Sequence, residues 1–218
     1  MNTKRIFFWL CFIIILGLII WGLIVAMNKQ PPPTSGAGGT PPPVTTSDHV
    51  RGSATAPVTL IEYSDYQCPA CEAYYPVVEQ LWANASTSLR IVYRNFPLPQ
   101  HANAIPSALA AEAASAQGKF WDMYSLIFQN HLEWQDLSDP EPVFEGYAGR
   151  IGLNMDKFKA DVANKTGMTK IQADQDGGTA IHIDATPTFF VNGKAIDNPQ
   201  GYEPFKAIID AAIAASAQ

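Results

Sequence analysis

Pro57-Val-Thr-Leu-Ile-Glu-Tyr63 is hydrophobic and β-prone, and soon after it a helix-like stretch opens on Cys68-Pro69-Ala70-Cys71 and continues to Ala85. Two thiols within one turn at a strand-to-helix boundary can close and reopen a disulfide, which is a transferable oxidising or reducing equivalent. The first cysteine caps the helix. Unpaired N–H groups and the positive end of the helix dipole there favour its thiolate, the species that attacks disulfides.

The N-terminus constrains where such chemistry takes place. Ile6 to Met27 is a run of 22 residues without a charge. At about 1.5 Å per residue it reaches roughly 33 Å, enough to cross the hydrocarbon core of a bilayer. Lys4 and Arg5 precede it, so residues 1–5 are expected in the cytoplasm, 6–27 as a single-pass signal anchor in the cell membrane, and the remainder on the extracytoplasmic side. A cleaved secretory signal is the competing reading, but its apolar region runs to about 7–15 residues and ends in a small-x-small site. Val25-Ala-Met-Asn28 offers a poor one. Cys11 sits too early for a lipoprotein junction and reads as an apolar filler. Residues 28–47 read as a Pro/Gly-rich tether. Its six prolines and three glycines favour extended polyproline II over a packed core.

Residues 48–218 are long enough for one domain with a sizeable core. In them, 11 Lys and Arg face 20 Asp and Glu, leaving nine net negative charges. An acidic surface without a basic patch argues against nucleic acid as a partner. Cys68 and Cys71 are too close together to staple a fold. Half of a zinc site is the bland reading of the pair, but no second Cys-x-x-Cys exists and the four histidines lack paired spacing, so no metal is expected.

Along the domain, Val58–Tyr63 reads as a buried strand. The following helix shows a face of Cys71, Tyr75, Val78 and Trp82, with Pro76 a source of a kink, and Leu89–Phe96 closes a βαβ unit. Helices are expected at Ala102–Gln117, from Phe120, at Val143–Ile151, and at Asp156–Lys165 with Asn154 as N-cap. Thr166–Ile183 carries no clear assignment because Gly177-Gly178 interrupts it. Thr188–Val191, the turn Asn192-Gly193 and Lys194–Ile196 read as a hairpin, followed by a helix at Glu203–Ala215. The order βαβ, helical block, ββα suits one α/β sheet with helices on both faces and an all-helical insertion at about 97–183.

That order, with Cys-x-x-Cys after the first main strand, resembles the thioredoxin fold with a helical insertion, and specifically the membrane-anchored branch of DsbA-like thiol:disulfide oxidoreductases. The resemblance rests on Ala56–Cys71, on Phe96-Pro-Leu-Pro-Gln-His101 with the alanine-rich stretch after it, on Thr186-Pro-Thr-Phe-Phe-Val-Asn-Gly193, and on Pro76 five residues after Cys71. It implies that Cys68 is an exposed nucleophile and that Cys71, one turn in and shielded, resolves the mixed disulfide. Glu62 is implied as a buried acid with a raised pKa that accepts a proton from Cys71, although alone it also reads as an exposed residue at a strand end. Thr186 and Pro187, joined by a cis peptide bond, would present backbone to a client chain; an ordinary trans proline opening a strand is the alternative. Pro69-Ala70 departs from the Pro-His dipeptide of the best-known DsbA enzymes, which implies a less depressed Cys68 pKa and a weaker oxidant.

The implied activity is oxidation of exported, cysteine-containing client proteins. The Cys68–Cys71 disulfide is the redox centre, with no other cofactor, and a membrane quinone-linked partner regenerates it. A tethered reductase or isomerase fed by a membrane electron donor keeps the chemistry and reverses the flow. A thioredoxin-fold binding module without turnover is the reading from a different class.

Overall fold

The computed structural model describes residues 38–216 together with Trp9, Phe12, Leu16 and Gly17. The chain divides into two units, 1–34 and 35–218. The expected membrane span falls almost wholly outside the described residues. Among those that are described, no helix is long and apolar enough to cross a membrane.

Five strands form one sheet: β1 (His49–Arg51), β2 (Val58–Ser64), β3 (Leu89–Asn95), β4 (Thr188–Val191) and β5 (Lys194–Ile196). Their order is β1-β3-β2-β4-β5, so β2 is central. It pairs in parallel with β3 and antiparallel with β4. Helix α1 (Pro69–Ala85) makes the crossover that a parallel β2–β3 pair requires. Side chains of β2 alternate between two apolar layers. Val58 and Leu60 join Val78 and Leu81 of α1 and Phe205 and Ile209 of α8 (Tyr202–Ser216). Ile61 and Tyr63 face the other way, toward Val92, Phe96, Ile183 and Phe190. A strand buried on both faces reads as a continuous apolar run, which is why its alternation is weak in the sequence.

Six helices fill the insertion: α2 (Ala104–Ser115), α3 (Phe120–Gln129), α4 (His131–Trp134), α5 (Glu141–Arg150), α6 (Met155–Ala163) and α7 (Met168–Ala180). Asn154 caps α6 as expected, its side-chain oxygen accepting from the Lys157 N–H at 2.9 Å. The hairpin turn also matches, with φ of 48° at Asn192 and 79° at Gly193.

The sequence-based expectations need correction in four places. On α1 it is Leu81, not Trp82, that completes the fully buried face. Strand β1 was not expected; its three residues are too few to show a period and exist through pairing with β3. The tether does not extend to residue 47, because from Gly38 onward the chain lies on the domain. Gly38 N–H donates to Ile181 O at 3.0 Å. Arg94 ties down the rest, donating to Pro43 O, to both Asp48 carboxylate oxygens and to the Tyr63 hydroxyl. Finally, α7 runs straight through Gly177-Gly178. A Cβ at Gly178 would lie 2.7 Å from the Phe96 ring and 3.1 Å from Tyr63, so glycine serves close helix-to-sheet packing rather than a break.

Gly178→Ala is therefore expected to destabilise the domain by about 1–3 kcal/mol through overpacking, despite alanine's better helix propensity. Equilibrium denaturation of the two proteins checks this.

Candidate active site

β2 ends at Ser64, and a tight turn delivers Cys68 to the start of α1. The Cys68 N–H donates to Asp65 O, and Cys68 O accepts from Glu72 N–H, both at 3.0 Å. With φ −70° and ψ 122°, Cys68 is the N-cap, and Pro69 opens the helix where its missing N–H costs nothing. Both cysteines are free thiols. Cys68 Sγ donates to Thr186 O at 3.4 Å, and the Asp65 N–H points at Cys71 Sγ at 3.5 Å. The Thr186–Pro187 bond is cis. The structure thus gathers Cys68, Cys71, Thr186 and Pro187, distant in sequence, at one end of the central strands. Pro69 and Ala70 are exposed on the helix start.

Cys68 is not the exposed thiol that the sequence suggests. It is 6% exposed, against 0% for Cys71, because the insertion folds over the helix mouth and both sulfurs join the cluster of Tyr66, Tyr75 and Phe128. The two thiols nevertheless differ sharply in acidity. Cys68 is lowered from 9.0 to about 5, first by the hydrogen bond from the Cys71 thiol. Burial opposes this, while the Thr186 hydroxyl and the N–H groups of Cys71 and Ala70 add to it. Helix-mouth amides, the leading cause expected from sequence, thus rank below the neighbouring thiol. Cys71 moves the other way, well above its ordinary value, through burial and then through Cys68 and Glu62. One thiol ionises at the expense of the other.

Glu62 lies on β2 opposite Tyr93 and Phe189, in line with Val58 and Leu60 on the face that α1 covers. It is 1% exposed. Burial raises its carboxyl from 4.5 to about 7. The nearby Ser64 hydroxyl pulls downward, ranking after burial, and Glu62 Oε2 is left without a hydrogen-bond partner. A carboxyl that changes protonation near neutrality and feels the charge on Cys71 is chemically able to exchange a proton with that thiol. Among the described residues, no group of three or more His, Cys, Asp or Glu is placed to hold a metal ion.

Residues 44–211, most of the chain, match the thioredoxin family. The chain belongs to that family. Among solved structures, the fold is similar to oxidised BdbD from Bacillus subtilis (TM-score 0.72, 23% identity, covering 83% of this chain and 99% of that one). It is also similar to alpha-DsbA1 from Wolbachia pipientis (TM-score 0.71, 21% identity, 80% and 94%). The DsbA-like thioredoxin fold expected from the motifs is thus observed. In sequence, the chain is 39% identical over 170 residues to Na(+)/H(+) antiporter NhaA 3 of Salinispora tropica, covering 78% of this chain and 25% of that protein. Na(+)/H(+) antiporter NhaA 1 of Salinispora arenicola is likewise 39% identical, over 77% and 25%. The chain spans about a quarter of the length of these curated relatives.

Within this thioredoxin-family frame, several residues brace the redox turn without having been singled out from sequence. The Asp65 carboxylate accepts from Gln67 N–H, Leu98 N–H and His101 Nδ1. The Gln67 side chain bridges Asn103 N–H at 2.5 Å and Gln135 O at 2.6 Å. Asn103 Nδ2 in turn donates to the carbonyls of Trp134, Gln135 and Leu137. Ser64-Asp65 reads as a strand break in sequence, and nothing local links Asp65 to a histidine 36 positions on.

The Thr186 hydroxyl is buried and unpartnered beside the Cys68 thiol, so it is free to donate once that thiol ionises. Thr186→Val is expected to raise the Cys68 pKa by about 1–2 units, the worth of one hydrogen bond to a charged group. Thiolate ultraviolet absorbance against pH in the full chain reads this directly. Glu62 gives a second expectation. Folded Glu62 keeps its proton to about 7 while the unfolded carboxyl loses it near 4.5, so its own contribution to stability falls as pH rises through that window, while the lowered Cys68 thiol contributes in the opposite sense above about 5. Glu62→Gln should remove about 3 kcal/mol of that decline, as measured by denaturation at about pH 4 and about pH 8.

Proposed function

We propose that the chain catalyses thiol–disulfide exchange as an extracytoplasmic oxidase, donating a Cys68–Cys71 disulfide to exported proteins that carry reduced cysteines. The observation that carries this reading is the divergent acidity of the two thiols, with Cys68 lowered to about 5 and Cys71 raised. A client thiolate attacks Cys68 Sγ, the less enclosed sulfur, and the Cys68–Cys71 bond breaks. Cys71 leaves as a thiolate in apolar surroundings and takes a proton from Glu62. A second client thiolate then attacks the client sulfur of the mixed disulfide and expels Cys68. Two electrons pass from the client to the pair, and Cys68 is a good leaving group because its thiolate is stabilised. The Thr186 backbone beside Cys68 offers strand-like pairing that does not depend on client sequence.

Regeneration needs an oxidant, for which a quinone-linked membrane partner is suited. The apolar run at 6–27 supports placing the domain at the cell membrane on its outer side, with the N-terminus in the cytoplasm. That is the compartment where disulfides persist. No resident cofactor beyond the cysteine pair is needed for the steps above.

The reduction potential tests the direction of flow. At neutral pH a thiol with pKa about 5 favours the reduced pair over one at thioredoxin's ~7 by roughly 50-fold, or about 50 mV. Equilibration of the full chain with glutathione is expected to give a potential between thioredoxin's ~−270 mV and DsbA's ~−120 mV. A value at or below thioredoxin's, with no oxidation of a reduced dithiol peptide, would reverse the assignment to a reductase.

A further inference from the structure

Four side chains on the two central strands each end in a buried polar atom without a hydrogen-bond partner: Glu62 Oε2 and Ser64 Oγ on β2, Tyr93 OH and Asn95 Oδ1 on β3. The parallel register sets Glu62 against Tyr93 and Ser64 against Asn95, so all four share one block on a single face of the sheet. Tyr66, in the turn before Cys68, adds a fifth such atom, and its ring centroid lies 5.1 Å from that of Tyr93. Buried polar atoms are nearly always paired, so a cluster of orphans around the carboxyl that serves Cys71 calls for a functional reason.

The block continues to the edge of the sheet. β1 sets His49 against Tyr93, so His49, Tyr93 and Glu62 stand in one row across three strands, roughly 10 Å from end to end at the usual strand spacing. His49 is stacked on Phe120, and its Nε2 lies 2.7 Å from Glu112 Oε1 of α2. Asn95 Nδ2 donates to that same oxygen at 2.9 Å. His49 Nδ1 lies 3.5 Å from Ser115 Oγ, and half-buried Ser115 brings the row to the surface. Between the two carboxyls stand the phenols. Tyr66 is raised well above its ordinary pKa by burial, then by the charge of Glu112 and further by that of Glu62. Tyr93 is raised by burial, then by Tyr66, Glu62 and Cys71.

We propose that His49, Glu112, Tyr66 and Tyr93 carry a proton from solvent across the sheet to Glu62, which makes them positioning residues that act on Cys71 through Glu62. The inference rests on the exchange reading above. When the Cys68–Cys71 bond breaks, the Cys71 sulfur takes the Glu62 proton and leaves a carboxylate. One proton then enters at His49, each group between gives one up as it receives one, and one arrives at Glu62; no electrons move. A free phenolate inside this core would be costly, so the hydroxyls pass protons on without ionising. Three other sets of titratable groups face the row. Glu79 of α1 is paired with Arg51 of β1 at 2.6 Å, and Tyr124 of α3 packs against Tyr66 and Tyr93. Asp174 of α7 accepts from Asn95 N–H at 3.0 Å and is paired with Lys170.

Below about 7 Glu62 begins a turnover with its proton already stored, whereas above it the proton for Cys71 has to come along the row. The test follows reduction of the oxidised full chain by excess dithiothreitol, quenched by alkylation, at about pH 5.5 and about pH 8.5. It compares the wild-type chain with Tyr66→Phe/Tyr93→Phe and with Glu112→Gln. Phenylalanine keeps both rings and removes only unpaired oxygens, and glutamine keeps the shape of Glu112 without an acid to relay. The ratio of variant to wild-type rate is expected to fall roughly tenfold from the lower pH to the higher, the share of one proton-transfer path. A ratio that does not change with pH would overturn the path, because a merely structural role slows both conditions alike. Should Glu112→Gln fail to fold, the double phenylalanine variant decides alone. A wild-type chain that exchanges with neither dithiothreitol nor glutathione at either pH would instead overturn the exchange reading, and the path with it.

Discussion

The hydrogen bond from the Cys71 thiol to Cys68 governs this structure, and complete enclosure of Cys71 makes that bond one-directional. A thiol with no access to water is costly to ionise, so it keeps its proton and offers it to the neighbour one turn away. Cys68 sits at the N-cap and can exploit the offer, because the amides of Ala70 and Cys71 and the Thr186 hydroxyl share the charge. The rest of the domain keeps this asymmetry in place. β2 and α1 fix the two sulfurs, the insertion excludes water from Cys71, and the cis Thr186–Pro187 segment closes the remaining side.

Glu62 belongs to the same arrangement. A carboxyl at this point of a central strand is a conflict between local and global preference, since Val58 and Leu60 on the same face are wholly apolar and buried. Its cost is a raised pKa and a contribution to stability that declines between about 4.5 and about 7. Such a conflict marks a functional position more often than a packing error, and here it places an exchangeable proton within electrostatic reach of the one thiol that cannot get a proton from water.

What could be read in the sequence was what local pattern encodes. The central strands, the Cys68 cap, the Asn192-Gly193 turn and the Asn154 cap each depend on residues within a few positions of one another. Cys68 and Cys71 were legible as a pair for that reason. Features that depend on distant partners were not. β1 exists only against β3, and α7 tolerates two glycines only because Phe96 and Tyr63 press on it. The bracing of Asp65 by His101 has no local signature either. The burial of Cys68 belongs with these. Its cover comes from an insertion whose aromatic residues read simply as core, and whose contact with the helix mouth no periodicity reveals.

That cover changes how the thiolate has to be approached. A sulfur at a bare helix mouth accepts attack from a wide cone of directions and is open to small oxidants as well as to clients. Thr186 stands beside Cys68 and Gln67 braces the turn before it, so an approaching chain meets a sulfur that is only 6% exposed. An in-line exchange needs three sulfurs in a row, so a narrow approach selects chains that can lie along it and excludes those that cannot. The burial of Cys68, although it works against the acidity of that thiol, therefore restricts which partners can use it.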